Sequence, residues 1–222
     1  MELIAQGRDA DVYALDDSRV LRRYRHGGPT ELEAQLMGHL AACGYPVPKV
    51  YETTDTGMVL ERLTGPTILD VLARRPWRVA SLGRTLGRLH ARLHTVMAPK
   101  WLPRRSATLG DDRVLHLDLH PGNVVLTRQG PVVIDWRNAG AGDPAADVAM
   151  TVVTVGSAQI PGLAARLGRD LLVHSMVKGS RGNPAARIPE AAEAKLADPN
   201  LTPAEAAWLR RCVIDQPGSP GH

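Results

Sequence analysis

Three side chains with oxygen atoms in the middle of the chain have a spacing that suits metal-assisted phosphoryl transfer. Asn123 follows Asp118 by five residues, and Asp135 follows Asn123 by twelve, at the end of an apolar run. One carboxylate can accept the proton of an attacking hydroxyl, while an amide oxygen and a second carboxylate are ligands that a hard cation such as Mg²⁺ prefers. This chemistry depends on positioning and charge neutralisation, so a few well-held oxygens suffice. The sequence therefore predicts a phosphotransferase centre between His116 and Asp135.

The first sixty residues, which must help to position this centre, carry strand patterns and one helix pattern. Residues 30–42 have leucines at helical spacing, and Gly44 follows them as a stop signal. The apolar residues 3–5 lead into a turn, and short apolar runs of strand character lie at residues 10–15, 19–24, 50–51 and 58–60. We interpret this part as β, β, α, β, β, which predicts a small antiparallel sheet with one helix.

The remaining residues are mainly of helical character. Leu82, Leu86, Leu89 and Leu93 form a helical stripe, and Thr202-Pro203-Ala204-Glu205 has the residues of a capping box with proline at the first helical position. Further helices are predicted at 148–155, 163–177 and 204–213, short strands at 114–115, 124–126 and 132–134, and a loop at 179–189.

This change of character predicts an α+β fold with two lobes. Residues 1–63 would form a β-rich N-terminal lobe, with a hinge at about residues 61–65. Residues 66–222 would form a mainly α-helical C-terminal lobe that contains the catalytic loop 116–123 and Asp135.

The segment from His116 to Asn123, together with Asp135, resembles the catalytic loop of the aminoglycoside phosphotransferase and choline kinase-type family. The family pattern is His-x-Asp-x-x-x-x-Asn, followed by an apolar strand that ends in Asp. The resemblance implies a bilobal protein-kinase-like fold, ATP and Mg²⁺ as cofactors, and transfer of the γ-phosphoryl group to a hydroxyl of a small molecule. It also implies a role for each matching residue: Asp118 as catalytic base, His116 as a brace of the loop, Asn123 and Asp135 as metal ligands, and Asp147 as a support of the loop through hydrogen bonds. His120 either contacts the transferred phosphoryl group or stabilises the loop.

The same resemblance implies a nucleotide site in the N-terminal lobe. Gly7 begins a reduced glycine-rich loop at residues 7–13, and Glu33 matches the helix glutamate that orients a phosphate-binding cation. Apolar side chains would sandwich the adenine ring, and backbone groups of the hinge would meet its edge. The residues implied are Val12 and Val20 or Leu21 for the sandwich, and Glu61, Arg62 and Leu63 for the hinge.

The chain departs from the family at the cation on the third strand, which is usually lysine. None of the four lysines (Lys49, Lys100, Lys178, Lys195) is placed to serve, and the strand has Arg22 and Arg23 instead. Alternation along a strand sends these two side chains to opposite faces, so only one can point into the cleft. We favour Arg22, which stands two residues after Val20, as the family's cation stands after a small apolar residue.

The charge, the cysteines and the N-terminal sequence limit the classes of function but do not identify the acceptor. The net charge of +4 comes from scattered basic residues, and the two cysteines, Cys43 and Cys212, match no metal or redox spacing. The N-terminus has no signal-peptide pattern and no window is apolar enough for a membrane span, so we expect a cytoplasmic enzyme without nucleic-acid or membrane partners. Two alternatives stay open: a small atypical serine/threonine kinase of the Bud32/RIO type, and a pseudokinase-like nucleotide-binding protein. The choice between ATP and GTP and the oligomeric state are not predicted.

Overall fold

A computed structural model describes residues 1–7, 10–25, 27–28, 30–105, 112–180, 183–199 and 201–214. The N-terminal part is a five-stranded antiparallel sheet in the order β1-β2-β3-β5-β4, with one helix between β3 and β4. Its elements are β1 (Glu2–Gln6), β2 (Ala10–Ala14), β3 (Arg19–Tyr24), α1 (Thr30–Ala42), β4 (Val50–Thr54) and β5 (Gly57–Glu61). Three strands precede the helix, one more than in the predicted order, because residues 2–6 pair with β2 as an edge strand.

Strand β3 places side chains of opposite character on its two faces. Val20 and Tyr24 are buried and Arg22 is half-buried on one face, whereas Arg23 is exposed on the other. In the ladder Arg22 lies between Val12 of β2 and Met58 of β5, which is the middle of the sheet. The alternation therefore directs Arg22 toward the interior of the molecule.

The rest of the chain consists of helices and two short antiparallel ribbons, β6–β9 and β7–β8. Its elements are α2 (Ile68–Arg74), α3 (Val79–Leu93), β6 (Arg113–Leu115), β7 (Val124–Thr127), β8 (Gly130–Val133), β9 (Gly140–Gly142), α4 (Pro144–Ser157), α5 (Leu163–Ser180), α6 (Ile188–Leu196) and α7 (Pro203–Ile214). Among the described residues, no helix is both long and apolar enough to cross a membrane.

Local capping explains where several of these helices begin. The predicted capping box of α7 is present, with Glu205 N donating to Thr202 Oγ1 and Thr202 N donating to Glu205 Oε2. Helix α4 starts at Pro144, four residues before the predicted start, because Asp143 caps it by accepting the N–H of Ala145. Helices α2 and α6 and strand β9 were not predicted, although α2 carries its own capping box at Thr67 and Asp70.

Close backbone contacts hold the catalytic segment against its surroundings. Helix α3 packs on α5 through Gly83 and Gly87, where a Cβ atom would lie 2.6 Å and 2.2 Å from the carbonyl oxygens of Leu172 and Met176. After β5 the chain passes over β7, and a Cβ atom on Gly65 would lie 2.2 Å from the carbonyl oxygen of Leu126. These approaches require glycine, and they leave little freedom for the ribbons that carry the site.

Candidate active site

The predicted catalytic loop connects β6 to β7 and is ordered by its own backbone. His120 N donates to Asp118 O at 2.9 Å, and Asn123 N donates to His120 O at 2.9 Å in a 3₁₀ turn that spans Pro121–Asn123. Across the β7–β8 ribbon, Ile134 N donates to Asn123 O at 3.0 Å. This bond places Asp135, which follows Ile134, beside the end of the loop.

The three predicted oxygen-bearing residues therefore lie around one short loop. The amide nitrogen of Asn123 donates to Asp118 O at 2.9 Å, so its oxygen is the atom that could bind a cation. The side chains of Asp118 and Asp135 are 24% and 42% exposed, which leaves both carboxylates within reach of a ligand. An amide oxygen and a carboxylate with this access fit a hard cation such as Mg²⁺, which binds few protein groups and completes its shell with phosphate and water.

Two residues of this segment have an unusual backbone conformation. Leu117 (φ 62°) and Asp135 (φ 67°) are the non-glycine residues in the left-handed region within the part of the chain that the structure describes. Such conformations cost about 1–3 kcal/mol each and persist only where the surrounding structure enforces them. Leu117 directly precedes the predicted base Asp118, and Asp135 is itself a predicted metal ligand. The fold therefore holds both positions in a backbone conformation that these residue types disfavour.

His116 is fully buried within the loop. Its Nδ1 accepts the N–H of Asp118 at 3.2 Å and its Nε2 lies 3.0 Å from Ile134 O, so the ring joins the backbone of Asp118 to that of Ile134, the residue before Asp135. Burial lowers the pKa of His116, although the charge of Asp147 opposes the shift. The neutral ring donates to the carbonyl of Ile134 and accepts the N–H of Asp118. It therefore connects the catalytic loop to the segment after β8, as a brace would.

His120 lies beside Asp118 at the surface of the loop. Its Nδ1 accepts the N–H of Gly122 at 3.0 Å, and its Nε2 lies 3.9 Å from Asp118 Oδ2. The first contact stabilises the loop, while the second places the other nitrogen close to the predicted base. Both functions that the sequence left open for His120 are compatible with this position.

Arg22, and not Arg23, reaches the centre of the cleft. Its Nη1 donates to Glu33 Oε1 at 2.7 Å, and its Nη2 donates to Asp135 Oδ1. The guanidinium thus joins α1 to the segment after β8, which carries the predicted metal ligand. Burial lowers the pKa of Arg22, but the carboxylates of Asp135 and Glu33 outweigh that effect and raise it above its usual value.

Two residues that the sequence did not single out complete this contact. The hydroxyl of Tyr24 donates to Glu33 Oε2, and the backbone N–H of Trp136 donates to Glu33 Oε1 at 3.0 Å. The Arg22 guanidinium also lies over the Tyr24 ring, 5.0 Å from its centroid. Burial outweighs the opposing charge of Arg22 and raises the pKa of Glu33 above its usual value. The sequence offered one signal, since Tyr24 stands two residues after Arg22 and must share its face.

A second polar group lies behind the catalytic loop, on α3 and α4. Asp147 Oδ1 accepts the N–H of Leu117 at 2.7 Å and of His116 at 3.2 Å, as the resemblance implied. Its other oxygen lies 2.9 Å from His94 Nε2 and 3.4 Å from His90 Nδ1. Burial raises the pKa of Asp147, but the two imidazoles outweigh that effect and hold it well below its usual value. In the sequence these histidines stand beside the leucine stripe of α3 and carry no signal of this contact.

Of the predicted adenine contacts, Val12 and Val20 lie on the face of the sheet that carries Arg22, whereas Leu21 lies on the opposite face. Val20 is buried and Val12 packs against the same core, while Gly7 N donates to Ala10 O at 2.9 Å in the turn before β2. The next two residues of the predicted glycine-rich loop lie outside the described residues.

Backbone hydrogen bonds limit which groups of the predicted hinge are available to a ligand. The N–H groups of Glu61 and Arg62 donate to Lys49 O and Ser18 O at 2.8 Å each. These two donors are therefore engaged within the protein, so the hinge can offer adenine its carbonyl groups and the N–H of Leu63.

Comparison with known proteins agrees with this geometry. Residues 1–112 and 95–188 match the phosphotransferase enzyme family APH. A probable serine/threonine-protein kinase BUD32 homolog of Archaeoglobus fulgidus is 23% identical over 142 residues, which are 59% of this chain and 62% of that relative. The chain thus aligns with less than two thirds of that relative's length.

Solved structures resemble the fold over nearly the whole chain. A thermostable mutant of aminoglycoside phosphotransferase APH(4)-Ia, in a ternary complex with ADP and hygromycin B, has a TM-score of 0.67 at 15% identity and covers 98% of this chain and 94% of its own. Amicoumacin kinase hAmiN, in complex with AMP-PNP, Ca²⁺ and Ami, has a TM-score of 0.61 at 16% identity, with coverage of 96% and 86%. A choline/ethanolamine kinase family protein from Mesorhizobium loti has a TM-score of 0.63 at 17% identity, with coverage of 97% and 88%.

The family match extends over most of the chain, and the structural matches share its two-lobed arrangement of sheet and helices. The predicted family and fold class are therefore confirmed. This chain belongs to the phosphotransferase enzyme family and has the bilobal protein-kinase-like fold.

Proposed function

We propose that this protein transfers the γ-phosphoryl group of ATP to a hydroxyl group of a small molecule, with Mg²⁺ as cofactor. The observation that carries the proposal is the grouping of Asp118, Asn123 and Asp135 around one braced loop, opposite the cation Arg22. Phosphoryl transfer needs a base, oxygen ligands for a metal and a cation for the phosphates, and each has a candidate here.

Asp118 is the proposed catalytic base. Its carboxylate is accessible, while its backbone N–H and carbonyl are held by His116 and Asn123, so an acceptor hydroxyl would meet a fixed oxygen. The proton of that hydroxyl would pass to the Asp118 carboxylate as the oxygen attacks phosphorus.

Asn123 Oδ1 and the Asp135 carboxylate are the proposed Mg²⁺ ligands. When bound, the cation would neutralise charge on the phosphates and orient the transferred group. The protein's own contribution is to hold the two ligands on one ribbon, through the bond from Ile134 N to Asn123 O.

Arg22 is the proposed phosphate-binding cation, and Glu33 orients it. An arginine at this position can keep one amino group on Glu33 while the other, now on Asp135, turns to a phosphate oxygen. The adenine ring would lie between Val12 and Val20, with the Leu63 N–H and the hinge carbonyls at its edge. These contacts support a working enzyme over a nucleotide-binding protein without turnover.

The test is transfer of label from [γ-³²P]ATP with Mg²⁺ to a panel of aminoglycosides, choline and simple sugars. We expect one class of acceptor to be labelled, and Asp118→Asn to lower the rate by about 10²- to 10⁴-fold while nucleotide still binds. The matched control is Asp170→Asn, which changes an exposed carboxylate on α5 whose partner is the adjacent Arg169. If the intact protein binds no nucleotide with Mg²⁺, or if Asp118→Asn transfers label like the control, the proposal is wrong.

The Archaeoglobus relative favours a second candidate, a serine/threonine protein kinase. The same assay separates the two functions. Label that appears on serine or threonine of the protein itself or of an added protein substrate, with every small molecule unlabelled, supports the protein kinase. Label on a small molecule with an unlabelled protein band supports the small-molecule kinase.

A further inference from the structure

The polar side chains on α3 and α4 contact the catalytic loop at both neighbours of Asp118. Before the predicted base, Leu117 N donates to Asp147 Oδ1 at 2.7 Å. After it, the carbonyl oxygen of Leu119 accepts the hydroxyl of Thr151 at 3.1 Å. Asp147 and Thr151 are one helical turn apart on α4 and both are fully buried, so the two contacts share one rigid support.

Each of these two supports is backed by a histidine, either His90 of α3 or His94, which directly follows the last residue of that helix. His94 Nε2 lies 2.9 Å from Asp147 Oδ2, and His90 Nε2 lies 3.2 Å from Thr151 Oγ1. The histidines are four residues apart, which places them on one face of the helix. The result is two arms, one from His94 through Asp147 to Leu117 and one from His90 through Thr151 to Leu119.

The count of hydrogens assigns the donors in these arms. Burial lowers the pKa of His90, so the ring is neutral and carries one N–H, while Thr151 carries one O–H. These two hydrogens satisfy the contacts from His90 Nε2 to Thr151 and from Thr151 to Leu119. His90 Nδ1 then stays 3.4 Å from Asp147 without a hydrogen bond, and it is one of two such buried side-chain atoms in the described part of the chain. In this arrangement of hydrogens His94 is the histidine that donates to Asp147, over the shorter distance of 2.9 Å.

The arms act where the backbone most needs support. Leu117 is held in the left-handed region at φ 62°, and its N–H is the group that Asp147 binds at the shorter distance. If this bond weakens, the backbone before Asp118 can relax and move the carboxylate. A displacement of about 1 Å in a reacting group can cost about 10² in rate, even when folding and binding are unchanged.

The same three residues could hold a metal ion, since His90, His94 and Asp147 have ligand atoms within 4.8 Å of one another. The geometry favours hydrogen bonding. A Zn²⁺ ion binds nitrogen and oxygen at about 2.0–2.2 Å, which separates two tetrahedral ligands by more than about 3 Å. The 2.9 Å contact between His94 and Asp147 is instead the length of a direct hydrogen bond.

We propose that His90, His94 and Thr151 are positioning residues of the phosphoryl transfer reaction, acting on the catalytic base through the two residues that flank it. The proposal rests on the proposed function for its kinetic part. Its structural part, the restraint of residues 117 and 119 by the two arms, can be measured without any turnover.

The experiment compares variants that remove a donor with variants that keep one. His94→Leu and Thr151→Val remove the donor, whereas His94→Gln and Thr151→Ser retain a neutral group that can donate. For each full-length protein, ATP hydrolysis with Mg²⁺ gives kcat and KM, thermal unfolding gives Tm, and hydrogen exchange reports on the amides of residues 116–119.

We expect His94→Leu and Thr151→Val to lower kcat by about tenfold or more with KM for ATP within about twofold, and the matched variants to restore most of the rate. Loop amides should exchange faster in the first pair than in the second, at temperatures well below Tm. If the wild-type protein hydrolyses no ATP, the exchange rates alone still decide whether the arms restrain the loop, while nucleotide binding and label transfer decide the proposed function separately.

Three results would overturn the inference. One is unchanged loop exchange in His94→Leu and Thr151→Val. Another is an equal loss of kcat in the matched and unmatched variants, which would indicate packing alone. The third is stoichiometric binding of added Zn²⁺ that His94→Leu abolishes, which would make the cluster a metal site.

Discussion

The protein has two polar networks on opposite sides of the catalytic loop, and they are built from different groups. In the cleft, Arg22 pairs with Glu33 and with Asp135, whose side chain is 42% exposed. Behind the loop, Asp147 and His90 are fully buried and the side chain of His94 is 8% exposed, so the carboxylate lies among imidazole rings and backbone N–H groups. The first network is accessible to a ligand and the second is not.

This difference separates exchangeable contacts from permanent ones. A partly exposed ion pair gains little in water, so the Arg22 contact to Asp135 can give way to phosphate or metal at small cost. A buried carboxylate that loses its partners keeps the full desolvation penalty, so the contacts of Asp147 resist change. Substitutions in the cleft should therefore affect rate and affinity, and those behind the loop should affect stability and loop geometry.

The largest effect is expected from Asp135→Asn in the cleft. The amide keeps the shape but loses the charge that a metal ion would bind, so kcat for transfer should fall by about 10²- to 10³-fold. The midpoint of thermal unfolding should remain close to that of the wild type, because the side chain is partly exposed. Steady-state kinetics and calorimetry measure both. A large fall in Tm with a preserved rate would remove the distinction between the networks.

The same substitution behind the loop, Asp147→Asn, should have the opposite character. Its amide nitrogen would face the N–H of His94, so a buried donor loses its acceptor and the free energy of unfolding should decrease by about 1–3 kcal/mol. Urea denaturation monitored by circular dichroism gives this value. The comparison would be contradicted if Asp147→Asn were as stable as the wild type.

Affinity for nucleotide should distinguish two changes of Arg22. Arg22→Met leaves the buried Glu33 without its cation and should weaken binding of ADP by about tenfold, whereas Arg22→Lys keeps a charge and should lose only a part of that. Titration calorimetry in the presence of Mg²⁺ measures both. Equal affinities for the two variants would mean that the guanidinium does not serve the nucleotide.

The smallest expected effect is the change in the free energy of unfolding with pH that the buried histidines cause. Burial lowers the pKa of His90 and of His116, so the unfolded chain binds more protons than the folded one once the pH falls below about 6.5. The free energy of unfolding should reach its maximum with respect to these two rings above that pH. It should decline as the pH falls toward 5, by at most about 1.4 kcal/mol per pH unit for each ring. Asp147 contributes in a separate window: its pKa in the folded protein is held well below the ordinary value of 3.8, so its contribution is complete above about pH 3.8 and is lost as the pH falls further below that value.

Urea denaturation at several pH values between 5 and 7.5 tests this dependence. His90→Asn removes one of the two rings, so its free energy of unfolding should vary less steeply with pH than that of the wild type. An identical slope in both proteins would show that His90 does not titrate in this window.

Much of the site was predictable because its parts are close in sequence. The loop from His116 to Asn123 leads directly into the β7–β8 ribbon, and Asp135 follows that ribbon. The spacing along the chain therefore constrains where the side-chain oxygens of Asp118, Asn123 and Asp135 lie. Strand alternation also required that only one of Arg22 and Arg23 points into the cleft, and the position of Arg22 two residues after Val20, which matches the family's cation, favoured Arg22. The choice of contacts was less accessible: the sequence indicated that Glu33 could meet a strand cation, but not that Tyr24 and the Trp136 N–H also bind it.

The sequence by itself determined the family, the two-lobed fold and the residues offered to the reaction, because these depend on short motifs and on periodicity along the chain. The tertiary structure decided how the catalytic loop is held. Asp147 lies more than fifty residues from His94 and about thirty from Leu117, and they meet only because α3 and α4 pack against β6 and the loop that follows it. A buried carboxylate needs all its partners at once, and that requirement is met by packing in three dimensions, which no local pattern encodes.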